Sequence, residues 1–274
     1  MGKKYEFTGE TRKYKGRTLH RIRALRNFGK VEGGDLGGWI GSEYNLSQVG
    51  SCWVFDDAVV YDNARVSGNA NVHLYAQVYD YARVFGDANV HSTTQVHGSA
   101  RVYGDAWIYG EAEVSGKARV YDNAKISGDA WVHGYAKVFG YAWVLDNTLV
   151  FGKAQVHGNA KVSGNAEVSG NAEVSGEADV SGTAQITGDA QVNGLSDYVL
   201  IRNFWSSGRW ITFTRSNGMW KAGCFLGAGE DLVRKAYADS EEKGKCYEAF
   251  VKATEKVYGV LGKWEENYGC IGIC

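Results

Sequence analysis

Proline is absent from this chain of 274 residues, while glycine is abundant at 37. Turns must therefore be made by Gly, Asn and Asp, which tolerate positive φ. Neither sign of charge is in excess: 30 Lys and Arg against 31 Asp and Glu leave a formal net charge of −1. No global field draws nucleic acid or membrane, so any anion-binding surface must be local. No apolar run approaches the roughly 20 residues of a spanning helix. The first residues, MGKKYEFTGETRKYKG, lack the apolar stretch of a signal peptide. The expectation is a cytoplasmic protein with no membrane partner. Cysteine is sparse and odd in number: Cys52, Cys224, Cys246, Cys270 and Cys274. Scattered spacing is no disulfide framework, so reduced thiols are expected. Cys270 and Cys274 would clip a metal only with histidine partners, and none is near in sequence; neither metal nor cofactor is expected.

What the chain does have is a repeat. Val or Ile recurs at every sixth residue from Val54 to Val192, 24 times without an insertion. The residue four places later is small: Ala in 21 hexads, Thr94, Thr148 and Ser196 in the others. Two places after the aliphatic residue stands mostly Gly or Asp, as in Val162-Ser163-Gly164-Asn165-Ala166-Glu167. Ala and the next Val are two apart, so they face the same side of a short strand and the residue between them faces out. The Gly-Asn or Asp-Asn pair bends the chain. Three strands and three bends close an 18-residue triangular coil, and the hexads make about eight coils. Parallel strands bond coil to coil, and no repeat is stable alone.

These residues resemble the hexapeptide-repeat family of left-handed parallel β-helix proteins, over about half the chain. The resemblance implies a left-handed β-helix. It also brings in the family's usual roles, trimeric acyltransferase or γ-carbonic-anhydrase-like metal enzyme. One detail departs from the acyltransferase pattern: glycine falls two residues after the aliphatic position, where many acyltransferases place it one after. The V-S-G-N-A form is more similar to hexapeptide-repeat proteins of bacteria and of phages or prophages. So are the segments HRIRALRNFG and SNGMWKAGCFLGAGEDLVRKAYADSEEKGKCYEAF. No activity comes with that likeness.

The fold expected is mainly β, in three parts. Residues 1–51 form an N-terminal β cap, 52–194 the β-helix and 195–274 a small C-terminal α/β domain. In the cap, Thr18 to Leu25 is strand-like, and Gly33 to Ile40 is a turn leading into the first coil. A solenoid end needs such a cover, since it would otherwise expose unpaired backbone. In the last part Tyr198 to Phe204, Arg209 to Thr214 and Met219 to Phe225 read as strands, with Asn217-Gly218 as a hairpin turn. Helices are expected near 229–242 and 245–261, separated by Gly244.

Inward residues explain folding, so function is sought in the outward ones. With a step of 18, one face carries Arg65, Arg83, Arg101, Arg119 and Lys137, then Gln155, Glu173 and Gln191. Beside that column run Ser67, Phe85, Tyr103, Tyr121, Phe139, His157, Ser175 and Asn193. Cations beside rings suit a phosphate-and-base ligand: Arg forks onto phosphate and rings stack on bases. Arg and Tyr are also ordinary surface residues of a sheet, so a purely structural row stays open. A second face carries Val59, Tyr61, Tyr79, Trp131, Leu149 and Phe151, and the third Trp107, Tyr109, Trp143 and Leu145. Such stacked apolar residues predict a buried interface, most simply between three copies of the chain: Trp107, Tyr109, Trp131, Trp143, Leu149 and Phe151. His73, His91, His97, His133 and His157 all follow a Val, in columns shared with Phe and Tyr, and read as flat packing residues rather than metal ligands.

Three function classes follow. An enzyme of the acyltransferase kind needs a catalytic His beside a loop leaving the coils, and 24 uninterrupted hexads leave no room for one; no catalytic residue is assigned. A non-catalytic binding protein would use the basic-aromatic face to hold a nucleotide or other phosphorylated small molecule, or an acidic host protein. In a phage-encoded chain, acting in the host cytoplasm, that would serve against host defence by sequestering a signal or blocking a protein. A spacer or assembly module would use the coils only as a rod. The binding reading leads.

Overall fold

In a computed structural model describing residues 2–268, the hexads form a three-sided parallel β-solenoid of about nine turns, followed by a small domain of strands and two helices. The described residues cluster into two compact units, the first running to 189 with 193–195, the second formed by 190–192 and the residues from 196 onward.

Each hexad contributes a two-residue strand, its first residue outward and its Val or Ile inward, as in Arg101–Val102. Each strand pairs in parallel with those 18 residues before and after it. The amide of Arg101 donates to the carbonyl of Ala118 (2.9 Å), and that of Tyr103 to Val120 (3.0 Å). The Val column and the Ala column are both fully buried, so each coil is filled by two small apolar layers. The second column takes Ala, or at Thr94 and Thr148 a threonine that is buried just as fully, so its side chains stay small where the coil narrows at the corner.

The bends obey the expectation for a proline-free chain. From Val54 to Ile186, the residue two places after each inward aliphatic has positive φ, and where it is not glycine it is mostly Asp: Asp56, Asp62, Asp80, Asp122 and Asp146. Left-handed backbone costs an L-residue energy. The carboxylate offsets this by accepting the bend amide of the next coil: Gly98 N–H on Asp80 Oδ2 (3.0 Å), Gly140 on Asp122 (3.2 Å) and Gly164 on Asp146 (2.9 Å). Leu74 and Ser92 adopt the same φ, which sequence reasoning did not expect of a leucine.

The stacking begins one coil before the perfect hexads, which accounts for about nine turns where about eight were expected. Strand β1 (Tyr5–Tyr14) pairs antiparallel with β2 (Arg17–Ala24), which pairs with β3 (Leu36–Ile40). β3 then joins the solenoid in parallel, Trp39 opposite Val59 and Ile40 opposite Val60, and Leu46 bridges to Val66. Ile40 to Leu46 is one hexad, but Leu46 to Val54 is two residues longer, so a strict step of six misses this coil. β3 lies close because Gly37 and Gly38 have no side chains; a Cβ there would come within 2.6 Å of Trp53 Cζ2 and of the Ala58 carbonyl respectively. The cap also buries Val59 and Tyr61, with Leu19 and Trp39 against them. These two residues therefore do not belong to an exposed apolar column. Lys4 plugs the end of the rod: it is fully buried, and its Nζ donates to the Cys52 carbonyl (2.9 Å) and the Gly50 carbonyl (3.4 Å). Burial lowers its pKa, but the carbonyls it meets are ones no preceding coil satisfies.

In the second unit, strands Tyr198–Arg202, Trp210–Thr214, Met219–Ala222 and Phe225–Gly227 form an antiparallel meander. Helices α1 (Gly229–Asp239) and α2 (Glu241–Tyr268) follow. Its core is Ile211, Phe213, Trp220, Leu232 and Val251. The helix break falls at Ser240, not at Gly244. Gly244 lies inside α2 because Tyr237 packs on it; a Cβ there would sit 2.2 Å from the Tyr237 ring. It serves close approach rather than termination. Among the described residues no helix is long and apolar enough to cross a membrane.

Candidate functional site

The five cations of the basic face are brought together as the 18-residue step requires. Arg65, Arg83, Arg101, Arg119 and Lys137 are consecutive partners in one parallel sheet, continued by Gln155. The four arginines are exposed and Lys137 is half-buried. Arg65 lies over the Tyr44 ring at 5.5 Å. Among the described residues, Arg83, Arg101, Arg119 and Lys137 form no ion pair, whereas the cap arginines do, as Arg17 with Asp62 (2.6 Å) and Arg23 with Glu6 (2.5 Å). Like charges about 5 Å apart repel, so the column is poised to gain from an anion.

The ring column is geometrically different from the expectation of free rings awaiting bases. Phe85, Tyr103, Tyr121 and Phe139 stack on one another with centroids 4.8–4.9 Å apart and nearly parallel planes. His157 continues the stack at 4.6 Å from Phe139, and its Nε2 meets Glu173 Oε1 at 2.8 Å. The faces between these rings are occupied by other rings and present only edges to solvent. Burial, with Tyr103 and Asp122 nearby, raises the Tyr121 pKa, so its hydroxyl stays protonated. At the other end the neighbour of Phe85 is Ser67. There a concavity of about 270 Å³ is lined by Arg65, Ser67, Arg83 and Phe85.

A larger concavity, about 530 Å³, opens where the basic face turns its corner. Lys117, Arg119, Tyr135, Lys137, Lys153, Gln155 and Asn171 line it. Lys117 Nζ donates to the Tyr135 hydroxyl (3.3 Å) and lies over that ring at 5.0 Å. Four cations thus surround one space whose lining holds no carboxylate. Sequence reasoning found Arg119 and Lys137 but missed Lys117, Tyr135, Lys153 and Asn171. These sit in the bends and not in the strands that make up the three faces; the same step of 18 applied to the bend residues aligns all four.

The proposed interface residues are spread over two faces. Trp107, Trp131, Trp143 and Leu149 are exposed, at 45, 41, 41 and 36% of their surface. Tyr109 and Phe151 are half-buried, stacked on His91 (5.4 Å) and His133 (5.1 Å). Trp143 also carries Lys125 Nζ over its ring at 4.6 Å.

Histidines behave as flat members of ring columns: His73 on Phe55 (4.3 Å) and His97 on Tyr79 (4.7 Å). Burial lowers the pKa of His73, His91 and His133. One hydroxyl–imidazole contact was not foreseen: Ser92 Oγ is 3.1 Å from His91 Nδ1. The described residues contain no cluster of three or more His, Cys, Asp or Glu side chains fit for a metal, and Cys270 and Cys274 lie outside them.

Comparison with known proteins agrees with the repeat. Residues 54–73 and 118–134 match the family model described as YdcK Beta solenoid repeat. A curated protein of Escherichia coli (strain K12), named uncharacterized acetyltransferase YdcK, is 40% identical over 55 residues. That stretch is 20% of this chain and spans only 17% of the relative.

Proposed function

We propose that this protein is a non-catalytic binding module whose basic face holds a phosphate-bearing, nucleotide-type anion. The observation that carries this reading is the convergence of Lys117, Arg119, Lys137 and Lys153 on one concavity with no lining carboxylate. Cations without a carboxylate partner gain most from a polyanion, and Arg and Lys complement each other there, one as fork and the other as mobile point charge. In a phage-encoded setting such a module removes a host signalling nucleotide by sequestration. Self-association through Trp107, Trp131, Trp143 and Leu149 belongs to the same proposal, because exposed tryptophans at this density favour burial.

Calorimetric titration with ADP-ribose and inorganic phosphate tests the reading, beside the variant Lys117→Ala, Lys153→Ala. Saturable binding that weakens at least tenfold in the variant, and weakens with salt, is expected. Absence of binding to wild-type protein by both probes sinks it.

The name of the E. coli relative supports a second reading, acetyl transfer. Acetyl-coenzyme A is itself a phosphorylated nucleotide derivative, so the same concavity would serve for its nucleotide end. No histidine lines that concavity; His91, which meets Ser92 on another sheet of the solenoid, is the imidazole to test. Turnover of acetyl-coenzyme A that disappears in His91→Asn would favour this reading over simple binding.

A further inference from the structure

The ring column of the basic face is a ladder with one rung missing. Phe85, Tyr103, Tyr121, Phe139 and His157 fill five successive coils, each ring lying on the next. The position before Phe85 is Ser67, so the outer face of the Phe85 ring has no ring on it. Above that face is the concavity lined by Arg65, Ser67, Arg83 and Phe85. Arg65 and Arg83 are adjacent partners in the sheet, so two guanidinium groups border the empty position. The opposite end of the ladder differs: there His157 meets the Glu173 carboxylate, which would repel an anion.

We propose that this gap in the ladder is a binding site for a planar heteroaromatic group carrying an anion, of which a nucleoside monophosphate is the simplest example. The ring would take the missing rung on Phe85, and its phosphate would reach Arg65 or Arg83. Stacking suits the site because the ladder already holds rings at a spacing the coils impose, and the ligand only continues it. Two arginines give the fork geometry that phosphate accepts. Ser67 matters by its size: any ring at that place would close the site. The site is distinct from the Lys117–Lys153 concavity, sharing no lining residue with it, and stands whether or not that concavity binds phosphate.

The test fills the gap with the protein's own solution. Ser67→Phe places a ring where Phe or Tyr already stands in the next four coils, so the backbone accepts it. Binding of AMP, ribose 5-phosphate and inorganic phosphate is titrated calorimetrically to the full chain, the variant and Arg65→Ala, Arg83→Ala. Wild-type protein is expected to bind AMP about tenfold tighter than ribose 5-phosphate, the size of one base–aromatic stack. Ser67→Phe should abolish that preference while leaving phosphate binding at the Lys117 concavity unchanged. The arginine variant, altered only at exposed side chains, should lose the preference for AMP over ribose 5-phosphate, keeping only the phosphate binding of the Lys117 concavity. If wild-type protein does not prefer AMP to ribose 5-phosphate, or Ser67→Phe retains the preference while folded by circular dichroism, the proposal is overturned. Loss of phosphate binding in Lys117→Ala, Lys153→Ala with the AMP preference intact would separate the two sites.

Discussion

Arg101→Gln should stabilise the protein, and more so at low salt. Arg101 sits between Arg83 and Arg119 in register, the middle of five cations. Adjacent coils are about 5 Å apart, and at that distance in water each pair repels by roughly 0.8 kcal/mol. Removing the central charge relieves two such pairs, roughly 1–1.5 kcal/mol at about 10 mM salt. At about 1 M salt the Debye length is near 3 Å, so the gain should fall below about 0.4 kcal/mol. Glutamine is a fair replacement because Gln155 already occupies the same column and pairs directly with Lys137. The assay is thermal unfolding of both proteins at the two salt concentrations, where the low-salt gain corresponds to a rise of about 2–5 °C. A purely structural row, held by contacts between side chains and sheet, would lose stability on the same change. The reasoning is refuted if Arg101→Gln is no more stable at low salt, or if its gain does not depend on salt.

Three further outcomes follow from the coils themselves. Thr94 is fully buried with its hydroxyl unpartnered, at a place where 21 other hexads have Ala, so Thr94→Ala should stabilise by about 1–2 kcal/mol in urea unfolding; Thr148→Ala, whose hydroxyl donates to the Leu145 carbonyl at 2.5 Å, should not. Gly134 has φ +70 and a Cβ there would meet Gly152 N at 3.0 Å, so Gly134→Ala should cost about 1–2 kcal/mol. Gly134→Asp should cost less, since its carboxylate can receive the Gly152 amide as Asp80 receives that of Gly98; equal losses in the two variants would contradict this account of the bends. His73, His91 and His133 are held neutral by burial, with folded pKa values below the ordinary 6.5. The unfolded chain then binds more protons, so stability should be full above about pH 6.5 and fall as pH drops below it. His73→Phe, which repeats the Phe55 of the same column, should flatten part of that slope in pH-dependent urea unfolding.

The periodicity of this chain determined its coils by itself. A Val every sixth residue and an Ala two before it can be buried together in one way only, and a missing proline leaves the bends to Gly and Asp. The same step of 18 placed Arg65 to Lys137 in one column, because in a solenoid a neighbour in space is a fixed distance along the chain. Where the step broke, legibility broke with it. The two extra residues between Leu46 and Val54 hid the first coil, and nothing local to Lys4 marked it as the plug of the open end. The helix break at Ser240 rather than Gly244 was decided by the Tyr237 ring, a contact between helices that no single-helix pattern carries. Tertiary structure alone decided which outward residues remain available. It closed the faces of Tyr103, Tyr121 and Phe139 by stacking them, buried Val59 and Tyr61 under the cap, and joined the bend residues Lys117 and Lys153 to the strand residues Arg119 and Lys137. The physical reason is that periodicity fixes where a side chain starts, while its free surface depends on what its neighbours in the next coil and the cap leave uncovered.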